Sequence, residues 1–332
     1  MRRWRSGAWG VLILAAGLLQ ASSCSAQSAG AQYGGAQSGG APIGPEAARA
    51  LPFADAHFHV MPYMDPAQVL QAMDRLNIRW AGGALALGGP ARDAAVARVL
   101  GARYIRATGT SAWLRLRQRG GPQALESPES AEFQSLLREV EADLRDGNSR
   151  VIGELHVNAM QSAASPVLQY KIRAAGAGLR ALAALAAKYG RPLALHAQWD
   201  ADTAAEFQRL AASNREARII LLHAGNIASA AQIRALLEAH PNVVCDLSYR
   251  SPPQLKGRIL DRAIFDGALR EDWRALIEDH PGRFMAGIDD VQSWDDYEAT
   301  LRNIRDGLLA SLSPAAAERL SWRNASAWFG LQ

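Results

Sequence analysis

Short apolar runs alternate with helix-like segments eight times between residue 51 and the C-terminus. Each run is typical of a buried strand, and the segments between them carry apolar residues three or four positions apart, as amphipathic helices do. The eight runs are Phe53–Val60, Arg79–Leu87, Tyr104–Gly109, Val151–Val157, Pro192–His196, Arg218–His223, Val243–Ser248 and Phe284–Asp289. Eight strand-plus-helix units in one chain predict a closed parallel (β/α)8 TIM barrel, an α/β fold, over residues 51–332.

Composition is consistent with a folded domain and gives no indication of nucleic-acid binding. The chain has 332 residues, of which 49% are hydrophobic and two are Cys, so it is neither disordered nor stapled by disulfides. The formal net charge of +4 falls to +1 once Arg2, Arg3 and Arg5 are set aside. We therefore expect no nucleic-acid partner.

The N-terminus has the features of an export signal. Three arginines precede the apolar run Gly10–Leu19, and small residues lead up to Cys24. Ten apolar residues span about 15 Å as a helix, which is too short to cross a bilayer. Residues 1–23 are therefore predicted to be a signal peptide.

The segment that follows suggests a membrane tether. Cys24 after small residues resembles a bacterial lipoprotein cleavage site, although Ala21 stands where that pattern usually has Leu. Residues 24–50 are rich in Ala, Gln, Ser and Gly, and this composition predicts a flexible linker. We expect an exported protein, either periplasmic or anchored to a membrane as a lipoprotein through lipidated Cys24. Cys245 lies in a predicted buried strand, and no disulfide is expected.

Histidines and acids recur at the carboxyl ends of the predicted strands. In a barrel these ends meet at one rim, where reactive groups are placed. The residues at this rim are His57, His59, Glu154, His156, His196, His223 and Asp289. The spacing of His57 and His59 puts both imidazoles on one strand face. Imidazoles with carboxylates suit a divalent metal, with zinc the preferred identity.

The two remaining histidines have a structural interpretation. His240 and His280 each sit at the end of a helical pattern, directly before Pro241 and Pro281. We expect both to act at a helix C-terminus, as cations or as hydrogen-bond donors, outside the site.

The ordered set of these residues resembles the amidohydrolase superfamily, specifically its amidohydrolase-related branch. The motifs are His57-x-His59, Gly153-Glu154, His196, His223-Ala224-Gly225, Gly287-Ile288-Asp289 and the ending Trp322-Arg323-Asn324-Ala325 to Leu331. The resemblance implies that His57, His59 and Asp289 hold one metal. It also implies that His196 and His223 hold a second, or that His196 joins the first while His223 polarises the substrate. Many relatives bridge two metals with a carbamylated Lys, but no Lys precedes Lys171 here. Glu154 could serve as the bridging carboxylate instead, and the sequence leaves open whether the site holds one ion or two.

The resemblance also implies a reaction. A bound divalent ion lowers the pKa of water from about 15.7 toward 7. Asp289 would act as general base, and His223 or a second ion would stabilise the oxyanion. An ester, lactone or amide of a small molecule would be hydrolysed. Candidate substrate contacts are His156, Arg106, Arg250, Trp199 and Tyr63.

Two other functions remain open from the sequence. The same ligands would serve a mononuclear zinc enzyme that catalyses non-oxidative decarboxylation or another lyase reaction. Alternatively, the barrel would be a non-catalytic binding scaffold on a surface lipoprotein. A further alternative concerns the seventh strand, where either Asp246 and Ser248 or Val243 and Cys245 point into the barrel.

Overall fold

A computed structural model describes residues 40–161, 168–252 and 262–332. The predicted signal peptide, Cys24 and most of the predicted linker lie outside the described residues. In the part of the chain that is described, no helix has the length and apolar content of a membrane-spanning segment.

Parallel strands form the centre of the fold and follow the predicted apolar runs. The strands are β1 Phe53–Phe58, β2 Ile78–Gly83, β3 Tyr104–Ile105, β4 Ala107–Thr108, β5 Val151–Asn158, β6 Leu193–Ala197, β7 Ile219–Leu221, β8 Val243–Asp246, β9 Phe265–Asp266, β10 Ala268–Leu269 and β11 Phe284–Met285. Only β9 and β10 pair antiparallel among the described strands, as a two-stranded ribbon apart from the others.

The parallel strands close into a ring. One sheet has the order β1-β2-β3 and the other β11-β8-β7-β6-β5-β4, and β3 is separated from β4 by Arg106 alone. On the opposite side, Phe58 and Asp289 form a parallel bridge, and the Ala56 amide donates to the Ala286 carbonyl at 3.0 Å. β3 and β4 together form one interrupted strand, which gives the barrel eight parallel strands. The predicted (β/α)8 barrel is thus confirmed.

Helices follow most of the strands along the chain. They are α1 Pro45–Ala50, α2 Pro66–Arg75, α3 Pro90–Leu100, α4 Thr110–Ala124, α5 Ala131–Arg145, α6 Ala177–Tyr189, α7 Ala201–Ser213, α8 Ala230–Ala239, α9 Glu271–Asp279, α10 Trp294–Asn303, α11 Pro314–Glu318 and α12 Asn324–Phe329. Several begin at a side-chain cap: the Asp65 carboxylate accepts from the Ala67 amide at 2.8 Å, and Ser229 forms a capping box with Gln232. Single 3₁₀ or π turns lie at Gly101–Arg103, Leu222–Gly225, Pro281–Arg283, Ile304–Leu308, Leu309–Ser311 and Arg319–Arg323.

Apolar side chains fill the amino-terminal end of the barrel. Strand residues such as Ile105, Val151 and Ile220 belong to one buried cluster with Phe329 and Leu331 at the C-terminus. The C-terminal segment is held there because the Arg191 guanidinium donates to the Phe329 carbonyl at 3.2 Å. The carboxyl ends of the strands are therefore the end at which a site can open.

The segment before β1 corrects the predicted linker. Residues 45–50 are not a flexible tether but helix α1, in which Ala48 is fully buried. The Ile43 amide donates to the Leu312 carbonyl at 2.8 Å, and the Gly44 amide donates to the Ala310 carbonyl at 3.1 Å. The prediction that the linker reaches residue 50 is wrong because the average composition concealed a short helix with Pro45 in its first turn.

Buried Cys245 and the two helix-end histidines behave as structural residues. Cys245 is a free, buried thiol, and burial raises its pKa to about 12. His240 and His280 directly follow α8 and α9. Burial lowers the pKa of both imidazoles, which favours the neutral ring. Of the two expected roles at a helix C-terminus, a cation or a hydrogen-bond donor, the second is therefore favoured.

Gly83, at the end of β2, provides a test of how tightly the barrel packs. Its φ is +79°, and a Cβ would lie 1.9 Å from the Ala56 carbonyl oxygen. We expect Gly83→Ala to lower the free energy of unfolding by roughly 2–5 kcal/mol, because left-handed strain and a backbone clash add together. Urea denaturation measures this change.

Gly190 provides the matched control. It also has positive φ, +60°, but a Cβ there would have no neighbour within 4 Å. Gly190→Ala should cost only about 1 kcal/mol, the backbone contribution. Equal losses in the two variants would show that the contact with Ala56 does not constrain the barrel.

Candidate metal centre

Four histidines and two acids meet at the carboxyl ends of the strands. They come from β1 and the residue after it, β5, β6, the turn after β7 and the segment after β11: His57, His59, Glu154, His196, His223 and Asp289. The side chains of His57, Glu154 and His223 are buried, and those of His59, His196 and Asp289 are 11%, 12% and 13% exposed. The structure therefore brings together all six residues that the sequence predicts as metal ligands.

The carboxylate of Glu154 lies between two sets of imidazoles. Its Oε2 is 3.6 Å from His57 Nε2 and 3.4 Å from His59 Nε2. Its Oε1 is 2.9 Å from His196 Nδ1 and 3.5 Å from His223 Nε2. One carboxylate thus faces a histidine pair with each of its oxygens.

Asp289 approaches both sets from the other side. Its Oδ1 lies 3.7 Å from His57 Nε2 and 3.6 Å from His59 Nε2, and its Oδ2 lies 3.8 Å from His223 Nδ1. Three groups consequently have candidate ligand atoms within 4.8 Å of one another. The groups are His57 with His223 and Asp289, His57 with His59 and Glu154, and Glu154 with His196 and His223.

These residues fit a divalent cation. His57 Nε2 and His196 Nε2 are buried and have no hydrogen-bond partner among the residues described, and such orphaned polar atoms are costly. The separations of 3.4–3.7 Å between His57 or His59 and the carboxylates are too long for hydrogen bonds. They resemble the spacing of roughly 3.3 Å expected between tetrahedral ligands that bind one ion at about 2.0 Å.

The electrostatics of the cluster also favour a cation. Burial by itself would lower the pKa of His57, but the charges of Asp289 and Glu154 outweigh it and raise that pKa well above its ordinary value. Burial would raise the pKa of Glu154, yet the imidazoles of His156 and His57 and the hydrogen bond from His196 lower it well below its usual range. The pocket therefore carries negative charge that favours bound positive charge.

His156 lies beside these residues as a neutral ring. Burial lowers the pKa of its imidazole to about 4, and its ring stacks on His196 with centroids 4.8 Å apart. Its Nδ1 has no hydrogen-bond partner within the described part of the chain. A neutral imidazole next to the ligands remains a candidate for contacting substrate.

The main chain bends sharply where two of these side chains are presented. His223 has φ +56° and Asp289 has φ +76°, a left-handed conformation that side chains other than Gly and Asn seldom adopt. The Asp289 amide donates to the His57 carbonyl at 2.5 Å, and the His223 amide donates to Asp246 Oδ2 at 3.2 Å. These bonds hold the bends that direct both side chains inward.

Two arginines predicted to contact substrate bond to other protein groups. Arg106 points away from the barrel interior, and its Nε donates to the Asp93 carboxylate of α3 at 2.6 Å. Arg250 is buried, and its guanidinium donates to the carbonyls of Arg262 and His223 at 2.7 and 3.1 Å. Each guanidinium is therefore held by protein groups, an arrangement that disfavours the predicted contact with substrate.

The two aromatic candidates differ in exposure. Trp199 is only 5% exposed and packs edge-on against Phe207, so most of its ring lies in the core, and its role as a substrate contact stays a prediction. Tyr63 is 48% exposed, follows β1, and donates its hydroxyl to the Val291 carbonyl at 2.8 Å. It stays a candidate for the wall of the opening.

Asp246 and Ser248 join the site from β8. The sequence left open which face of this strand points inward, and the structure places Asp246 Oδ2 3.0 Å from His57 Nδ1. Ser248 Oγ lies 2.8 Å from His223 Nδ1. An Asp-x-Ser pair at the end of an otherwise apolar strand was the sequence feature that pointed to them.

Comparison with known proteins agrees with this architecture. A family model described as Amidohydrolase matches residues 54–331. An amidohydrolase from Burkholderia multivorans, solved with bound HEPES, is 19% identical with a TM-score of 0.50, and the match covers 85% of this chain and 100% of that one. This likeness supports the fold.

Two further solved structures are more distant. A TIM-barrel protein from Bordetella bronchiseptica is 12% identical with a TM-score of 0.47 over 80% of this chain and 82% of that one. A 2,6-dihydroxybenzoate decarboxylase, solved with 2,6-dihydroxybenzoate, is 13% identical with a TM-score of 0.46 over 85% and 100%. No curated protein sequence matches the chain.

Proposed function

This chain belongs to the amidohydrolase family, and we propose that it is an exported metal-dependent hydrolase acting on an ester, lactone or amide bond of a small molecule. It is an enzyme of a family that uses divalent metals. The observation that carries the proposal is the position of Glu154, whose two carboxylate oxygens each face a histidine pair.

The donor set divides into two candidate ligand groups. In the arrangement that the family resemblance implies, His57, His59 and Asp289 would hold one ion and His196 with His223 would hold a second. Glu154 would be shared between them, because its oxygens face one histidine pair each. We propose zinc, because imidazole and carboxylate ligands suit it. When bound, a divalent ion polarises a carbonyl and lowers the pKa of water from about 15.7 toward 7.

We propose separate roles for the side chains around the metal centre. Asp289 would accept a proton from the attacking water and return it to the leaving group, since its carboxylate borders both histidine sets. Neutral His156 lies beside His196 and would contact the substrate without adding charge. Half-exposed Tyr63 would line the opening.

Metal analysis combined with a substrate panel tests this function. The purified full chain should contain divalent metal after reconstitution and should hydrolyse members of a panel of esters, lactones and amides. Release of CO₂ from aromatic acids, with no hydrolysis, would replace the hydrolase with a decarboxylase. A chain that retains no metal after reconstitution would overturn the enzyme assignment of this site.

Export and lipidation form a separate proposal, supported by the sequence of residues 1–24. In a bacterial host we expect the full chain in the membrane fraction, with a lipid mass on Cys24. Cys24→Ser should move it out of that fraction while leaving its catalytic rate unchanged, because Cys24 precedes the folded domain. Mass spectrometry and fractionation give the result, and an unmodified Cys24 in the wild-type chain would contradict lipidation.

A further inference from the structure

Asp246 and Ser248 contact two proposed ligands that belong to different strands. Both residues are fully buried, in β8 and just after it. We propose that they form a positioning pair, which fixes the ring tautomers of His57 and His223 and thereby directs both Nε2 lone pairs toward the cation. This inference rests on the proposed function, because it concerns the same centre.

Asp246 determines where the proton of His57 lies. Its Oδ2 accepts from the His223 amide at 3.2 Å and from Ser248 Oγ at 2.7 Å, and its Oδ1 accepts from the Ser248 amide at 2.7 Å. A carboxylate surrounded by donors acts only as an acceptor. The His57 Nδ1 atom, 3.0 Å from Oδ2, must therefore carry the hydrogen.

Ser248 transmits the same constraint to His223. Its hydroxyl hydrogen is directed to Asp246 Oδ2, because a carboxylate cannot donate to it. The oxygen of Ser248 is then the acceptor for His223 Nδ1 at 2.8 Å. The tautomer of His223 that this contact selects carries its hydrogen on Nδ1 and its lone pair on Nε2.

Both Nε2 atoms face the cluster. His57 Nε2 has no hydrogen-bond partner in the described portion of the chain. His223 Nε2 lies 3.1 Å from His196 Nδ1 and 3.5 Å from Glu154 Oε1, so its neighbours are other members of the proposed ligand set. The two rings stack with centroids 4.9 Å apart and planes 28° apart. Of the two roles the sequence left open for His223, a lone pair at Nε2 favours metal ligand over oxyanion donor.

His59 is a built-in reference for the experiment. Its Nδ1 lies 2.9 Å from the Leu85 carbonyl, so the main chain and not Asp246 fixes its tautomer. Changes at Asp246 or Ser248 should leave this hydrogen bond in place. Histidine ligands oriented by a carboxylate typically lose metal affinity roughly 10- to 100-fold when that partner is changed.

The test compares Zn²⁺ affinity, measured on the full chain by competition with a chelator. Asp246→Asn should weaken binding by roughly 10- to 100-fold. Ser248→Ala should weaken it less, because His223 loses its partner whereas His57 loses only a longer contact of 3.3 Å and keeps Asp246 at 3.0 Å. Ser248→Thr, which keeps a hydroxyl, should restore wild-type affinity. Asp93→Asn is the matched control: Asp93 is also buried, bonds Tyr104 and Arg106, and lies away from the centre.

Proton NMR of the Zn²⁺-loaded protein supplies a second measurement. The slowly exchanging Nδ1–H resonances of His57 and His223 should both shift in Asp246→Asn. In Ser248→Ala the His223 resonance should shift more than that of His57, which keeps its bond to Asp246, while the His59 resonance stays in both variants. If Asp246→Asn does not fold, the Ser248→Ala and Ser248→Thr pair decides the question. Wild-type affinity and spectra in Ser248→Ala would overturn the positioning pair, whereas absence of Zn²⁺ binding to the wild type would overturn the proposed function itself.

Discussion

Asp289→Asn should reduce turnover by roughly 10²- to 10⁴-fold while the barrel stays folded, because the variant loses its proton acceptor and one anionic ligand atom. The side chain is nearly isosteric, and Asp289 Oδ1 and Oδ2 lie within 3.8 Å of the histidines of both ligand groups. Steady-state kinetics on the substrate identified by the panel would measure the loss. Metal content is determined on the same sample.

Asp295→Asn is the control for that experiment. Asp295 is an exposed acid in the first turn of α10, so the same chemical change there should leave turnover as in the wild type. Undiminished turnover in Asp289→Asn, with metal still bound, would remove Asp289 from the role of general base. Loss of both metal and turnover would assign it mainly to metal binding.

The double variant His57→Ala/His59→Ala should lose bound metal and fall to the background rate. The imidazoles of His57 and His59 contribute the Nε2 atoms that face both Glu154 and Asp289, so the variant lacks the two rings that lie beside these carboxylates. Elemental analysis after reconstitution and dialysis would show the loss of metal. Circular dichroism would confirm that the barrel remains folded.

His240→Ala/His280→Ala is the matched control, since it also removes two imidazoles. Both follow the last residue of a helix, and neither belongs to a group of candidate ligands in the residues described. This control should keep its metal and its rate. Retained metal in the His57/His59 variant would show that the ion is held elsewhere.

Much of the fold and the meeting point of the site could be predicted from the sequence. Alternation of apolar runs with helical patterns sets a parallel barrel, and a parallel barrel brings the carboxyl ends of its strands together. Residues as distant along the chain as His57 and Asp289 therefore share one rim because of topology. Their spacing at strand ends was sufficient to place them near each other.

Side-chain direction within a strand was harder to predict. Both faces of a barrel strand are buried, so the two-residue period does not identify the inner one. In β8 the question stayed open, and Asp246 proved to point inward. Arg106, between β3 and β4, shares a strand face with Tyr104. Both side chains bond Asp93 of α3, so this face is turned toward the helix.

Contacts between residues that are distant along the chain were the second feature that the sequence could not predict. Arg250 was a plausible anion clamp by sequence position, but the carbonyls that occupy it belong to turns after β7 and β8. Helix α1 was hidden because a single buried residue, Ala48, contributes little to average composition. Such contacts depend on how distant segments pack, and local patterns do not encode them.

The apolar plug formed around Phe329 and Leu331 has a kinetic consequence. Because apolar side chains fill the amino-terminal end of the barrel in the part of the chain that is described, substrate and product should both pass its carboxyl end, where Tyr63 is half-exposed. A product molecule in that passage blocks the next substrate, so product inhibition should be competitive. Product release by this route, rather than bond cleavage, is then a candidate for the rate-limiting step at high substrate concentration.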